Sequence, residues 1–383
     1  MDKKIGFKRI FFWILLSLNI IAATGLLLTF LAQYVPPSFS GLIVSCGIVF
    51  PFILYINLAF VIAWLIFSYK YCLISLLFIL LNVSTIDKHF QLKEKALPEN
   101  CPNTIQVMSY NVQLFGYYNE NNDADNKGKK MIFSFLRERN PDIVCFQEFF
   151  WDKSETLNFH TTDSILSILG LDNNETTYYQ YFPDNIKQQQ FFGLAVFSKY
   201  KIVNAEPIIT DSSSNSAVYV DIKYRGDTIR VYDIHLTSLH LNKNDYSVSQ
   251  QITQNNMADP AFEKNAKKLY RKLTESAKRR EKQAKIIAEH IQNSPYPVIV
   301  CGDFNDPPAS YCYNKIADNL RDSFRESGEG LGHTYHGNNM PHYRIDNILH
   351  SKQYNAFGHH VETSILTSDH YPIYTYISLT NKK

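Results

Sequence analysis

No Cys-X-X-Cys pair and no Cys/His cluster occurs in the 383 residues, so nothing in the sequence supports a zinc site. The six cysteines build no disulfide framework. Cys46 and Cys72 fall in apolar, membrane-like runs, and Cys145 and Cys301 sit inside apolar strand patterns, where a buried thiol is expected. Cys101 and Cys312 would pair only if the fold brought them together. Internal repeats and low-complexity tracts are missing as well. A basic excess is also lacking. The formal net charge is +2, but residues 1–92 hold six Lys/Arg against two Asp, which leaves 32 basic and 34 acidic residues in the rest. A slightly acidic soluble part has no electrostatic case for wrapping nucleic acid.

Charge is absent over two long stretches near the start. Residues 10–34 carry none over 25 positions, enough to cross a hydrocarbon core at ~1.5 Å per residue. A signal peptide would have a shorter apolar region and a small-residue cleavage site. A second charge-free run, 41–69, contains Pro51, expected to kink it, and ends on Trp64 and Tyr69, which suit an interface. After Lys70 comes a third apolar run, 71–86, whose 16 residues rise only about 24 Å against a core of ~30 Å. The pattern predicts a transmembrane anchor over 1–92 with about three helices (10–34, 41–69 and 71–86), a linker over 93–103 and a soluble domain over 104–383. It excludes both a polytopic transporter and a wholly soluble protein. Lys3, Lys4, Lys8 and Arg9 precede the first run, the 34–40 loop is uncharged, and Lys70 separates the second run from the third. The positive-inside rule then puts the N-terminus and Lys70 in the cytoplasm. Three spans make a multi-pass protein of the plasma (inner) membrane with its soluble domain extracytoplasmic; two spans would keep that domain inside.

From Thr104 onward strand and helix signals alternate. Strands are expected over 104–112, 142–148, 193–199, 297–305, 344–351 and 372–379, and helices over 127–139 and 261–292. AVYVDIKY and TIRVYDIHL flank Arg225-Gly226-Asp227, which a hairpin turn explains better than an adhesion tripeptide. The 261–292 helix carries ten Lys/Arg and four Glu, a solvated face or a site of attraction for phosphate or anionic lipid.

Polar residues able to bind metal stand where several apolar runs stop: Asn111, Glu148, His235, Asp303 with Asn305, Asp346, and the pair Asp369 and His370. Each alone is an ordinary loop residue, but strand ends on a layered scaffold converge on one cleft. Carboxylates with an Asn amide are hard oxygen ligands for Mg²⁺, with Mn²⁺ as a substitute, whereas zinc or copper wants more His or Cys. A His beside an Asp is fixed in one tautomer for proton transfer, and an Asp near an Asn orients water. The chemistry implied is metal-assisted hydrolysis of a phosphate ester.

The ordered motifs SYNV, QE, GLAVFSK, IHL, GDFN, RID and SDHYP resemble the endonuclease/exonuclease/phosphatase superfamily over residues 104–379. GDFN at 302–305 followed by SDH at 368–370 is the specific combination. The resemblance implies a four-layer α/β sandwich of two mixed β-sheets flanked by helices, here preceded by an N-terminal helical transmembrane region. It implies metal ligation by Glu148, Asn111 and Asp369, water activation by Asp303, phosphoryl contact by Asn305 and His235, and a His370 held by Asp346. Gln113 departs from the acidic residue that nucleases of the superfamily often carry two places after the Asn. The expected activity is that of a membrane-anchored, Mg²⁺-dependent phosphoesterase acting on a phosphodiester of a lipid, an inositol phosphate or nucleic acid. A membrane-tethered nuclease and a non-catalytic phospho-ligand binder are the alternatives. The expected partners are the lipid bilayer and the phosphate-ester substrate, with no protein partner inferred. His333, His336, His342, His359 and His360 lack metal spacing and read as surface or core residues, and Arg344 meets either phosphate or a local carboxylate.

Overall fold

A computed structural model describes residues 2–101, 103–117, 127–152, 159–171, 177–182, 190–210, 217–239, 260–337 and 341–379. The first apolar run folds as α1 (Asp2–Ala32), which ends ahead of Pro36 and Pro37. The second is broken. α2 (Gly41–Ile48) stops at Val49 (φ −91°, ψ 17°) and α3 (Phe50–Phe67) starts with Pro51 in its first turn. Proline has no N–H and its ring crowds the preceding turn, so it opens a new helix here and does not kink a continuous one. The third run divides at Asn82 into α4 (Cys72–Leu81) and α5 (Val83–Asp87). By length and composition, Lys8–Ala32 and Phe50–Phe67 are the two helices among the described residues that suffice to cross a membrane.

Polar side chains tie α1, α3 and α4–α5 into one bundle. Asn19 donates to Ser75 (2.6 Å) and accepts from Trp64 Nε1 (2.8 Å), and Ser75 donates to Asn57 (2.9 Å). Further along, Asn82 bonds the Leu26 carbonyl (3.0 Å) and Gln33 bonds Thr85 (2.8 Å). The rings of Phe12, Trp64 and Tyr71 gather at one end, with centroids 5.0–5.6 Å apart. The other end rests on the rest of the chain.

Among the described residues, that remainder is built from twelve strands in two mixed sheets. The first has the order β11 (Asn355–Val361), β12 (Ile373–Ser378), β1 (Thr104–Asn111), β2 (Ile143–Asp152), β4 (Gln190–Ser198), β3 (Tyr178–Tyr181). The second has the order β5 (Ile202–Ile208), β6 (Ala217–Tyr224), β7 (Asp227–His235), β8 (Val298–Asp303), β10 (Asp346–Ser351), β9 (Leu320–Asp322). β1–β2 and β7–β8 are parallel pairs. Alternate residues of both sheets, such as Val107, Cys145, Val196, Val220, Val231 and Cys301, meet between them. The opposite faces are covered by α6 (Lys127–Arg139) and α7 (Thr161–Leu169) on one side and by α8 (Pro260–Gln292) and α9 (Tyr311–Ile316) on the other. The result is the four-layer sandwich the motifs implied. In the β6–β7 hairpin Tyr224 pairs with Asp227, leaving a two-residue turn at Arg225 (φ 49°) and Gly226 (φ 93°). All six cysteines are free, so Cys101 and Cys312 do not pair.

The bundle sits on the sandwich through specific contacts. Glu281 on α8 accepts from the Ser38 N–H (2.7 Å), Arg325 pairs with Asp87, and Lys88 donates to Gln33 (2.7 Å) and Asn314. Gly47 packs closely against Ala32 and the Ala309 carbonyl, where a Cβ would stand 3.0 and 3.2 Å from them. Gln91, just ahead of the expected linker, bridges Gly330, and within the linker Lys95 accepts from the Gly358 N–H (2.8 Å) and pairs with Glu326 (3.2 Å).

Candidate active site

The eight residues read from the sequence come together at one edge of the two sheets. Asn111, His235 and Asp303 terminate β1, β7 and β8. Asp346, by contrast, opens β10, and Asp369 and His370 precede β12, so they are not at strand ends as expected. β10 runs antiparallel to β8, which sets Asp346 opposite Asp303, and β12 runs antiparallel to β1. Glu148 lies within β2, at an irregularity between Phe146 and Phe149 in its pairing with β4, and takes φ +50°. A bulge of this kind re-aims one side chain while the strand continues, here to Asp152.

Asp303 is the hub. Its Oδ1 accepts the Asn305 N–H (2.8 Å), and its Oδ2 accepts from Asn305 Nδ2 (3.0 Å) and Asn111 Nδ2 (3.2 Å). The same oxygen lies 3.7 Å from His235 Nε2 and 3.7 Å from His370 Nε2. Asn111 Nδ2 also reaches Glu148 (3.2 Å), and His235 Nε2 stands 3.7 Å from that carboxylate. His370 Nδ1 is 2.8 Å from Asp346 Oδ2. Burial works against a His370 cation, but the Asp346, Asp303 and Asp369 carboxylates outweigh it and hold the imidazole well above its ordinary range. Burial raises Asp303, opposed by His370 and His235, and raises Asp369, where His370 opposes and Glu148 adds.

Supporting residues escaped the sequence reading. Thr334 Oγ1 accepts the N–H groups of Ile345 and Asp346 (3.0 Å each), fixing the start of β10. Ser368 accepts the His370 N–H (3.0 Å) and donates to the Asn111 carbonyl (2.7 Å), joining the two ends of the site. Tyr335 sets its ring edge-on to His370 at 5.1 Å. Beneath the site Gln147 donates to the buried Asp233, whose carboxyl burial pushes well above its ordinary range. Single polar residues in loops or apolar strands carry no periodic signal, so only the fold reveals them. Arg344 meets a local carboxylate, Asp322 (2.7 Å), and both are buried. His359 bonds Ser323 (2.8 Å) in the core, and His336 stacks on Tyr371 (4.0 Å) beside the site.

A family profile described as the endonuclease/exonuclease/phosphatase family matches residues 108–370, more than half of the chain. The chain belongs to this family. A second profile, a domain of unknown function (DUF8431), matches residues 8–89. No curated protein matches. Solved structures similar to the chain include a family protein from Leptotrichia buccalis C-1013-b, 16% identical over 71% of this chain and 98% of that one, with a TM-score of 0.47. Another family protein, from Bacteroides thetaiotaomicron, is 17% identical over 72% and 97%, with a TM-score of 0.49. The human Nocturnin catalytic domain with bound sulfate anion is 19% identical over 73% and 95%, with a TM-score of 0.47.

The donor set suits a hard divalent cation. Glu148, Asn111 and Asp369 offer oxygen, the Asn111 amide oxygen keeps one lone pair beside the Gln113 N–H it accepts (3.1 Å), and Asp346 Oδ1 is buried without a partner. Asp303, Asp346 and His370 present donor atoms within 4.8 Å of one another.

Proposed function

We propose that the protein is a membrane-anchored, divalent-metal-dependent phosphoesterase that hydrolyses a phosphodiester. The observation that carries this reading is the linked set Asp346–His370–Asp303–Asn111–Glu148, in which a buried carboxylate lies between two histidines and beside an amide–carboxylate pair. Mg²⁺ held by Glu148, Asn111 and Asp369 would supply charge neutralisation at the phosphoryl oxygens and polarise phosphorus. Asp303, kept rigid by Asn305, orients the attacking water and takes its proton. His370, held as a cation by Asp346, meets the phosphoryl oxygen on which charge builds up. His235 Nε2, buried without a partner between Glu148 and Asp303, is free to donate to a second oxygen. The Asn305 amide restrains Asp303 and lines the same cleft.

The bundle is read as a three-span anchor over 1–92, with 104–383 as the catalytic domain. Support comes from its two ends: the Phe12–Trp64–Tyr71 end is remote from the sandwich, and the Gln33–Thr85–Lys88 end abuts it. α4–α5 therefore returns along the length of α1, and the shortness of each piece is offset by their stacking through Asn82. With the N-terminus inside, the site faces the extracytoplasmic side of the plasma membrane. Hydrolysis is tested with a panel of lipid phosphodiesters, inositol phosphates and DNA. Activity on one class that chelation abolishes and Mg²⁺ restores is expected. Glu148→Gln should raise the Mg²⁺ concentration needed for half-activity; hydrolysis indifferent to chelator would refute the metal assignment.

A further inference from the structure

Where the bundle meets the sandwich, an apolar groove of about 660 Å³ opens between the first turns of α3 and Leu331, His333 and residues 341–343. Its walls include Phe52, Leu54 and Tyr55 from α3, Phe90 after α5, and Leu331 and Tyr343 from the sandwich. Phe52, Tyr55, Phe90 and Leu331 are all substantially exposed, so the groove is open and unfilled by the chain itself among the described residues. None of its lining residues is Lys, Arg, Asp or Glu. Its polar lining is confined to His89, His333, His342 and two tyrosines, so an ionic or nucleic-acid ligand finds no permanently charged partner there, whereas hydrocarbon loses nothing by entering. One polar atom of this lining is buried without a partner. His89 contacts the Thr85 carbonyl through Nδ1 (2.8 Å), which puts its proton on that nitrogen and leaves Nε2 as a buried acceptor without a partner. An acceptor of this kind suits a hydroxyl or amide donor near the polar end of a lipid.

The groove is also connected to the chemistry. Tyr343 and Tyr335 exchange backbone hydrogen bonds (2.8 and 3.3 Å), and Tyr335 packs edge-on against His370. One wall of the groove thus continues into the residue touching the catalytic imidazole. The opposite wall belongs to α3, whose exposed residues Ile56, Ile62 and Ile66 extend the apolar surface away from the sandwich, on the part read above as membrane-spanning.

We propose that this groove takes the hydrocarbon chain of a membrane lipid phosphoester and presents its phosphate to His370. The proposal rests on the phosphoesterase reading and narrows its substrate to a lipid drawn from the bilayer around α3. The full-length protein in phosphatidylcholine nanodiscs, with a trace of phosphatidylglycerol bearing a diazirine on its acyl chain, should after illumination carry adducts on Phe90, Leu331 or Tyr343. Leu331→Asp should lower that labelling at least tenfold and leave labelling of the outward residues Ile14 and Ile21 on α1 as it was. Adducts confined to the outward faces of the bundle, or undiminished in Leu331→Asp, would overturn the proposal. In parallel, kcat/KM on phosphodiesters of increasing alkyl length should rise by roughly fourfold per methylene until the groove is filled. A flat series with measurable turnover also overturns it. No turnover on any phosphodiester, with the labelling as expected, would refute the phosphoesterase reading and leave lipid binding at the groove standing.

Discussion

Asp233 and Asp303 are both fully buried carboxyls near the mouth of the sandwich, and their partners give them opposite tasks. Asp233 has one donor, Gln147, and no cation, so burial favours its neutral form. Asp303 lies between two histidines and accepts the three hydrogen bonds described above, surroundings that favour a carboxylate. For Asp233 the folded value is raised, so its contribution to stability is complete below the ordinary Asp range near pH ~4 and is lost as pH rises toward the folded value. Asp233→Asn has no such dependence. The unfolding free energy of the wild type relative to this variant should therefore fall by about 1.4 kcal/mol per pH unit above pH ~4, read from urea melts; parallel profiles would show that Asp233 is not held neutral. Asp303→Ala should instead lower turnover by roughly 10² to 10⁴ with circular dichroism unchanged, since it removes the group proposed as proton acceptor. His370 provides the converse test. Its cation is favoured below the ordinary His range and lost as pH rises through the raised folded value, so Asp346→Asn should move that loss to lower pH. Imidazole NMR of the metal-free protein measures it directly, and an unmoved titration would mean that Asp346 does not hold the charge. Asp303, Asp346 and His370 were legible because GDFN, RID and SDHYP keep their order in the chain. The roles of Thr334, Ser368 and Asp233 were not, because each depends on a partner far away in the chain (Ile345 and Asp346, Asn111, Gln147) that no local pattern announces.

At the scale of elements, the parallel β7–β8 pair fixes the spacing between His235 and Asp303. Ile234 lies opposite Gly302, whose φ is +142°, and a Cβ at that position would stand 2.0 Å from the Ile234 carbonyl oxygen. Only glycine allows this approach, so the first residue of GDFN shapes the site without touching substrate. Gly302→Ala should destabilise by about 3 kcal/mol or more and depress activity together, because the strands must separate to admit the methyl. A wild-type urea midpoint in that variant would contradict the tight packing. The strands legible in the sequence are the interior ones. β3, β5, β9 and β11, which no pattern marked, are the four edges of the two sheets. An edge strand is solvated along one side and on part of its face, and β5 alternates only weakly between buried and exposed positions and contains Pro207. Its composition therefore looks like loop. The second apolar run misled for a related reason: apolar content showed its extent, but Pro51 begins a helix there, so one expected span became α2 followed by α3.

For the whole molecule, the decisive question is which side of the bilayer the sandwich occupies. Three crossings with a cytoplasmic N-terminus put it outside. A reporter active only outside the cytoplasm, fused after Lys383, should be active, and a cytoplasmic reporter at the same place should be silent; the reverse pattern would mean two crossings and an enzyme facing the cell interior. The seat of the bundle on the sandwich matters beyond sidedness. Lys88, enclosed between Gln33 and Asn314, and the Asp87–Arg325 and Ser38–Glu281 contacts fasten the bundle to the sandwich at several points among the described residues. A catalytic head on a loose leash would sweep a volume of solution and respond to bulk concentration. On the proposed membrane-anchored reading, one seated this way would keep its cleft at a set height and tilt above the lipid surface and meet substrate by lateral diffusion. Its rate would then follow the mole fraction of substrate in the bilayer, and diluting the lipid with inert lipid would slow it even when the total amount of substrate is unchanged.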